Sequence, residues 1–209
     1  MLFEGGGHRP KCYILKADIK QYFQTVDHEV LLEIIQGRVK DENVLWLVRA
    51  ILENYNSGQE GVGMPLGNWT SQFFANVYLN ELDQFVKHRL RAKCYIRYVD
   101  DFVILHHSRK SLQYYERKIK GFLPRLKLSL HPNKCKILRL DKGVGFLGFR
   151  IFPYHRIPRK RNIRKAEKRL SSLLSAYELG DADAWFILDS WHGWNGYAMH
   201  GNTHQLRKR

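Results

Sequence analysis

The nine residues Arg97-Tyr98-Val99-Asp100-Asp101-Phe102-Val103-Ile104-Leu105 decide how the rest of the chain is read. Aromatic and β-branched residues dominate Cys94 to Tyr98 and Phe102 to His106, which predicts two strands joined by a very short turn at Val99-Asp100-Asp101. A β-hairpin therefore carries two adjacent carboxylates at its tip, held near the protein body by apolar strands. Carboxylates so placed repel one another, and a hard divalent cation offsets them. Mg²⁺ in particular takes one or two carboxylates together with water and phosphate oxygens. Taken alone, the pair also fits a solvated turn. Asp18 shifts that balance, because Tyr13 to Ile19 alternates apolar residues with Lys16 and Asp18 and reads as a strand ending at the acid. Three strand-end carboxylates can hold two ions about 4 Å apart, the arrangement that phosphoryl transfer uses. Lys134 is a candidate to protonate or electrostatically stabilise a leaving group there, and is otherwise an ordinary surface lysine.

Outward from the hairpin, helices and strands alternate. His28 to Val39 and Asp41 to Tyr55 show three- and four-residue apolar spacing, with Asp27 and Asp41 as N-caps. Asn56 to Gly67 is glycine-rich and leads into a long amphipathic helix, Ser71 to Leu90. Ser111 to Leu126 reads as a helix, Lys127 to Leu130 and Lys136 to Leu140 as short strands, and Gly145 to Phe152 as a further strand around Gly148. Beyond Pro158 only helices are expected, Asn162 to Leu179 and Ala182 to Ala198, with Gly180 between them. The change of character near residue 153 divides an α+β region, 1–153, from a small all-helical region, 154–209.

A formal charge of +15 and a pI near 9.8 call for a polyanionic partner, since each Lys or Arg set on a phosphate releases counterions. The charge is uneven. Arg156 to Arg169 (RIPRKRNIRKAEKR) holds Glu167 as its only acid, so Arg159, Lys160, Arg161, Arg164, Lys165, Lys168 and Arg169 would set one helix along a phosphate backbone. Trp191, Trp194 and Tyr197 read as core of that helical region, and His192, His200 and His204 lack the neighbouring ligands a zinc site needs. Cys12, Cys94 and Cys135 form no CxxC pair, no apolar run reaches the ~20 residues of a membrane span, and no secretory signal opens the chain. A reducing cytoplasm and no membrane partner are expected.

With these residues in place, the sequence resembles the reverse transcriptases. The motifs ADIKQYF (Ala17 to Phe23), GMPLGNWTSQFFANVYLNELDQFVKH (Gly63 to His88), RYVDDFVIL (Arg97 to Leu105), LHPNKCKI (Leu130 to Ile137) and GFLGF (Gly145 to Phe149) follow the family's order. The resemblance implies an RNA-directed DNA polymerase of right-hand architecture, an antiparallel palm packed on helices followed by a helical thumb. It implies two Mg²⁺ ions, replaceable by Mn²⁺, on Asp18, Asp100 and Asp101. It also implies an RNA template, a DNA or RNA primer and deoxynucleotide triphosphates as partners. The nucleotide would meet Ile19, the steric gate Phe23, the loop Pro65, Leu66 and Gly67, and Gln72. Phe146, Leu147 and Gly148 resemble the primer grip.

Many family members carry Gln at the position of Leu66 and Pro at that of Gln72. LGNWTSQ instead resembles the enzymes of diversity-generating retroelements, which implies a prokaryotic or phage-encoded source. Reverse transcriptases of group II introns, retrons, CRISPR-associated or phage-defence systems stay open as alternatives, as does a non-catalytic RNA-binding fragment or subunit. The family's fingers precede the first motif, yet 17 residues precede Asp18. A fragment, an internally started reading frame, or fingers or an accessory protein supplied by another chain are the open explanations.

Overall fold

The computed structural model describes residues 12–54, 60–65 and 67–207, which divide into two compact units, Met1–Leu138 and Arg139–Arg209. In the first, β1 (Tyr13–Asp18), β2 (Cys94–Tyr98), β3 (Asp101–His106) and β4 (Lys136–Arg139) form one sheet in the order β2-β3-β1-β4. β3 runs antiparallel to both neighbours, with Asp18 opposite Asp101, Ala17 opposite Phe102 and Leu15 opposite Ile104. Cross-strand partners share a face and successive residues alternate. Leu15, Ala17, Phe102 and Ile104, all fully buried, therefore form one face, while Asp18, Asp101 and the exposed Tyr98 lie in a row across the other.

The buried face is covered by helices. α1 (Tyr22–Thr25) and α2 (His28–Gln36) follow β1. Asp27 caps α2, its side chain accepting from the Val30 amide at 3.1 Å, and Asp41 caps α3 (Glu42–Glu53). α4 (Trp69–Gln84) buries Phe74, Tyr78, Leu79 and Leu82 and ends in a π-helical turn, Phe85–Arg89, where the sequence pattern reads as one helix to Leu90. α5 (Arg109–Phe122) packs on β1 and β3 through Leu112 and Ile119. Burying a Leu or Phe in this core contributes about 1.5–3 kcal/mol each. Lys127 to Leu130 is not the short strand the sequence suggests. Lys127 takes φ +48 after a 3-10 turn, and the segment makes one bridge, Leu130 to Ile19.

The second unit opens with a three-stranded antiparallel sheet, β5 (Val144–Phe146), β6 (Phe149–Ile151) and β7 (Arg156–Pro158). The sequence reads Gly145 to Phe152 as one strand. It is instead a two-residue hairpin, with Phe146 paired to Phe149 and both Leu147 (φ +45) and Gly148 (φ +84) left-handed, the turn that suits the strands' twist. α6 (Lys160–Glu178) and α7 (Ala184–Met199) pack together, Gly180 (φ +79) closing the first, and α8 (His204–Arg207) follows. The compact units thus divide at Leu138 and Arg139, which groups this small sheet with the helices after it. No described helix is long and apolar enough to cross a membrane.

Candidate functional site

Asp18 is the last residue of β1 and Asp101 the first of β3, directly opposite one another, which sets their Cβ atoms about 4.5–5.5 Å apart. Asp100 occupies the turn between β2 and β3, and its carbonyl accepts from the Ile19 amide at 3.2 Å. Like charges facing across a ladder are destabilising, so this edge needs positive charge. Lys134 supplies some, its Nζ donating to Asp18 Oδ2 at 2.9 Å. It is delivered there by backbone: the Lys20 amide donates to Ser129 O at 2.9 Å and the His131 amide to Asp18 O at 2.8 Å, docking LHPNKCKI along the end of β1.

Burial, then repulsion from Asp18, pushes the Asp100 carboxyl above its usual range. Burial also raises Asp101, with Asp18 and Asp100 adding to it and Lys16 opposing. The hydrogen bond to Asp18 holds the Lys134 ammonium above its ordinary value. The three carboxylates thus share one electrostatic environment. Among the described residues, however, no three His, Cys, Asp or Glu side chains converge to hold an ion. Asp18 is turned to Lys134, as mutual repulsion of three anions favours. The donor set, three hard carboxylate oxygens along one open edge, still suits a divalent cation of the Mg²⁺ type.

A second group of residues holds the hairpin and was not singled out from the sequence. Arg97 grips Asp83 of α4 with both arms of its fork, Nε to Oδ1 at 2.8 Å and Nη2 to Oδ2 at 2.7 Å, and its Nη1 donates to Val99 O at 2.9 Å. Tyr95 donates to the same carboxylate at 2.7 Å, and burial raises its phenol well above the ordinary value. Val99 sits at φ +54, a left-handed conformation that costs a β-branched residue about 1–2 kcal/mol. The Arg97 contact to its carbonyl helps to hold it there. The signal was present as alternation: Tyr95 and Arg97 fall on the face of β2 that looks toward α4.

The structure also joins the Phe23 element to the loop before α4. The Met64 amide donates to Phe23 O at 2.7 Å, Gly63 N to Val26 O at 2.8 Å, and His28 Nε2 lies 2.7 Å from Gly63 O. Half-buried Pro65 follows directly. Phe23 packs edge-on to the buried Tyr22, ring centroids 5.4 Å apart, and Tyr22 donates to Ala75 O at 2.7 Å. Ile19 is fully buried beneath the aspartates, and Gln72 is exposed on the first turn of α4. Gly67 takes φ +96, and a methyl group at its Cα would meet nothing within 4 Å. Leu66 lies outside the described residues.

In the second unit the Leu147-Gly148 turn is clamped. Gly148 O accepts from Tyr197 Oη at 2.8 Å, Arg159 N at 3.0 Å and Asn162 Nδ2 at 3.3 Å. A Cβ on Gly148 would sit 2.7 Å from the Tyr197 hydroxyl. Phe146 is buried and Leu147 is 46% exposed at the tip. Arg159, at the N-cap of α6, and Lys160, Arg161, Arg164, Lys165 and Lys168 on its exposed surface are all solvent-facing. Beside them Lys165, Arg169, Trp194 and Tyr197 line a groove of ≈ 490 Å³. Trp191, Trp194 and Tyr197 are half-buried, as a helix-packing role requires.

Paired carboxylates on a hairpin beside a strand-end carboxylate, over a helix-backed antiparallel sheet, make a polymerase palm. Residues 6–151 match the family described as reverse transcriptase (RNA-dependent DNA polymerase), and the chain belongs to that family. Over 202 residues it is 27% identical to the protein YkfC of Escherichia coli, covering 78% of this chain and 51% of that one. Over 233 residues it is 26% identical to the group II intron-encoded protein LtrA of Lactococcus lactis, covering 79% and 38%. The chain therefore spans about half the length of the first relative and less of the second. In fold it is similar to the apo telomerase of Candida tropicalis, with a TM-score of 0.57 and 16% identity over 69% of this chain and 32% of that one. The likeness to the Candida albicans telomerase solved with a fragment of telomeric RNA is comparable, with a TM-score of 0.55 and 14% identity over 72% and 31%.

Proposed function

We propose that this chain carries the catalytic centre of an RNA-directed DNA polymerase that extends a primer 3′-hydroxyl with deoxynucleotides. The observation that carries the reading is the cross-strand placement of Asp18 opposite Asp101 with Asp100 in the adjoining turn, inside a family match that spans all three. Asp18, Asp100 and Asp101 would hold two divalent ions, which when bound activate the attacking hydroxyl and neutralise charge on the departing pyrophosphate. The remaining work is done by this chain's own groups. Lys134, held as an ammonium beside Asp18, offers a positive charge or a proton to the leaving group. Phe23, on the element hydrogen-bonded to the loop that leads into Pro65, would close the space beside the sugar C2′ and favour deoxynucleotides. The clamped tip at Leu147 and Gly148 would steady the primer end, and the exposed cations of α6 would follow the backbone of the template-primer helix.

The loop departure, Leu66 and Gln72 within LGNWTSQ, supports an enzyme of the diversity-generating retroelement type, since an apolar Leu66 offers no amide to the nucleotide. Leu66→Gln should then lower misincorporation opposite template adenine, and unchanged error frequency would remove that assignment. Similarity to a group II intron-encoded protein favours the intron type as a second reading. The test of the main proposal is primer extension on an RNA template with Mg²⁺, using the chain as given and a longer version carrying upstream sequence. Extension by either supports the proposal. Absence of extension from both, with template-primer binding intact, favours a non-catalytic RNA-binding role.

A further inference from the structure

Helix α5 and the 3-10 turn that follows it, Leu123–Leu126, present a continuous basic stripe that none of the polymerase roles uses. Lys110, Tyr114, Arg117, Lys118, Gly121 and Arg125 recur at helical spacing, and all are exposed. The opposite side of the same helix, Leu112 and Ile119 with half-buried Tyr115 and Phe122, packs into the core. Because that core lies on the face of the sheet away from Asp18 and Asp101, the stripe looks out from the far side of the first unit. It spans roughly 20 Å from Lys110 to Arg125 at ordinary helical rise.

Three features make this more than a solvated helix face. The acid of α5, Glu116, is paired with Lys120. Among the described residues no carboxylate forms an ion pair with Lys110, Arg117, Lys118 or Arg125, so four cations stand uncompensated along one line. An aromatic ring sits among them: Tyr114, 44% exposed, has Lys118 Nζ 5.6 Å and Arg117 Cζ 5.9 Å from its centroid. The stripe also borders a shallow depression of ≈ 520 Å³, where Phe85 and Phe122 stack with centroids 4.2 Å apart. Gly121 lines it too, and a Cβ added there would meet nothing within 4 Å, so a backbone can approach closely. Cations in line with an interleaved aromatic and an open floor fit a single-stranded nucleic acid, phosphates on the cations and a base against the ring.

We infer that the outer face of α5 is a second nucleic-acid-binding surface, which holds a single strand by its phosphodiester backbone on the side of the palm remote from the aspartates. The inference rests on charge and placement and stands apart from the polymerase reading. The test is fluorescence anisotropy of a labelled single-stranded RNA, and of a DNA of the same sequence, over a salt series. The variant combines Lys110→Gln, Arg117→Gln, Lys118→Gln and Arg125→Gln. A second variant with equal charge loss elsewhere, Arg38→Gln, Lys40→Gln, Arg91→Gln and Lys93→Gln, is the comparator.

The α5 variant should bind at least tenfold more weakly near 0.1 M salt, and its salt slope should fall by about three, given roughly 0.7 per single-strand phosphate contact. The comparator should change little. Loss on RNA alone, or on both strands, supports the surface and reports which sugar it accepts. Equal losses in the two variants would reduce the effect to bulk charge and overturn the inference, as would unchanged binding by the α5 variant. If that variant does not fold, photocrosslinking of the parent to thiouridine-substituted RNA decides the matter. Adducts on the peptide containing Tyr114 support the surface, and adducts confined to other peptides overturn it.

Discussion

Replacing Arg97 tests whether the aspartate turn is held from behind. The Arg97 and Asp83 side chains are 10% and 21% exposed, so their pair is largely shielded from water. Arg97→Ala removes two charge-assisted bonds and leaves the Asp83 carboxylate, among the described residues, with only the Tyr95 hydroxyl. Breaking a fully buried pair costs about 3–5 kcal/mol, and the residual exposure of Asp83 lowers this to about 2–4 kcal/mol. Arg97→Lys keeps the charge but not the fork, and is expected to cost about 1–2 kcal/mol. Either change also strips the support from Val99 O, so the left-handed turn relaxes and Asp100 moves. A shift of about 1 Å at a reacting centre costs roughly a hundredfold in rate. Urea unfolding reads the first effect and single-nucleotide incorporation the second. A double-mutant cycle with Asp83→Ala should show strong coupling. Additive losses, or an Arg97→Lys protein with parental stability and rate, would refute the clamp.

Gly148→Ala forces a Cβ onto the Tyr197 hydroxyl at φ +84, and should cost about 2–3 kcal/mol in thermal or urea unfolding, whereas Tyr197→Phe removes two bonds, the one donated to Gly148 O and the one accepted from Asn162 Nδ2, and costs about 1–2 kcal/mol. A Gly148→Ala protein as stable as the parent would show that the turn is not clamped. Phe23→Ala should raise ribonucleotide use relative to deoxynucleotide use at least tenfold in competitive incorporation, and an unchanged ratio would return Phe23 to a packing role. Burial alone would raise Asp27, but the Lys127 ammonium and the Val30 amide outweigh it and hold its carboxyl below the usual range. The stability it contributes is therefore complete above the ordinary carboxylate value near 3.9 and is lost as pH falls through the lower folded value. Asp27→Asn, which keeps the cap acceptor, should lose stability at neutral pH and show a shallower acid dependence below about pH 4. An unaltered pH profile would contradict this.

Much of the first unit could be read from sequence because its signals are local. The alternation in Tyr13 to Asp18 and Cys94 to His106 fixed which residues share a face, and Asp27 and Asp41 announced their helices. The misreadings have physical causes. Gly145 to Phe152 is apolar apart from Arg150, so periodicity does not separate two strands from one, and the turn depends on Leu147 adopting a positive φ that Leu rarely takes. Lys127 to Leu130 carries a strand-like pattern, but the Lys127 and Leu128 amides are spent on Pro124 O and Leu123 O of the preceding 3-10 turn, and the Ser129 carbonyl accepts from Lys20 just past β1. Asp83 and Arg97 are 14 residues apart, and no local rule pairs an acid in the last turn of α4 with a strand arginine. Lys134 reached Asp18 only through the backbone docking of Ser129 to His131, which is likewise non-local.

Asp18, Asp100 and Asp101 are proposed to act together as the divalent-ion centre of a polymerase. Single-turnover incorporation of one deoxynucleotide on an RNA template, followed through a Mg²⁺ titration, tests it with Asp100→Asn, a change that preserves volume and removes one charge. With template-primer binding intact, incorporation by Asp100→Asn should fall by roughly a thousandfold or more at every Mg²⁺ concentration. Incorporation within tenfold of the parent at saturating Mg²⁺ would contradict a divalent-ion centre that depends on all three carboxylates.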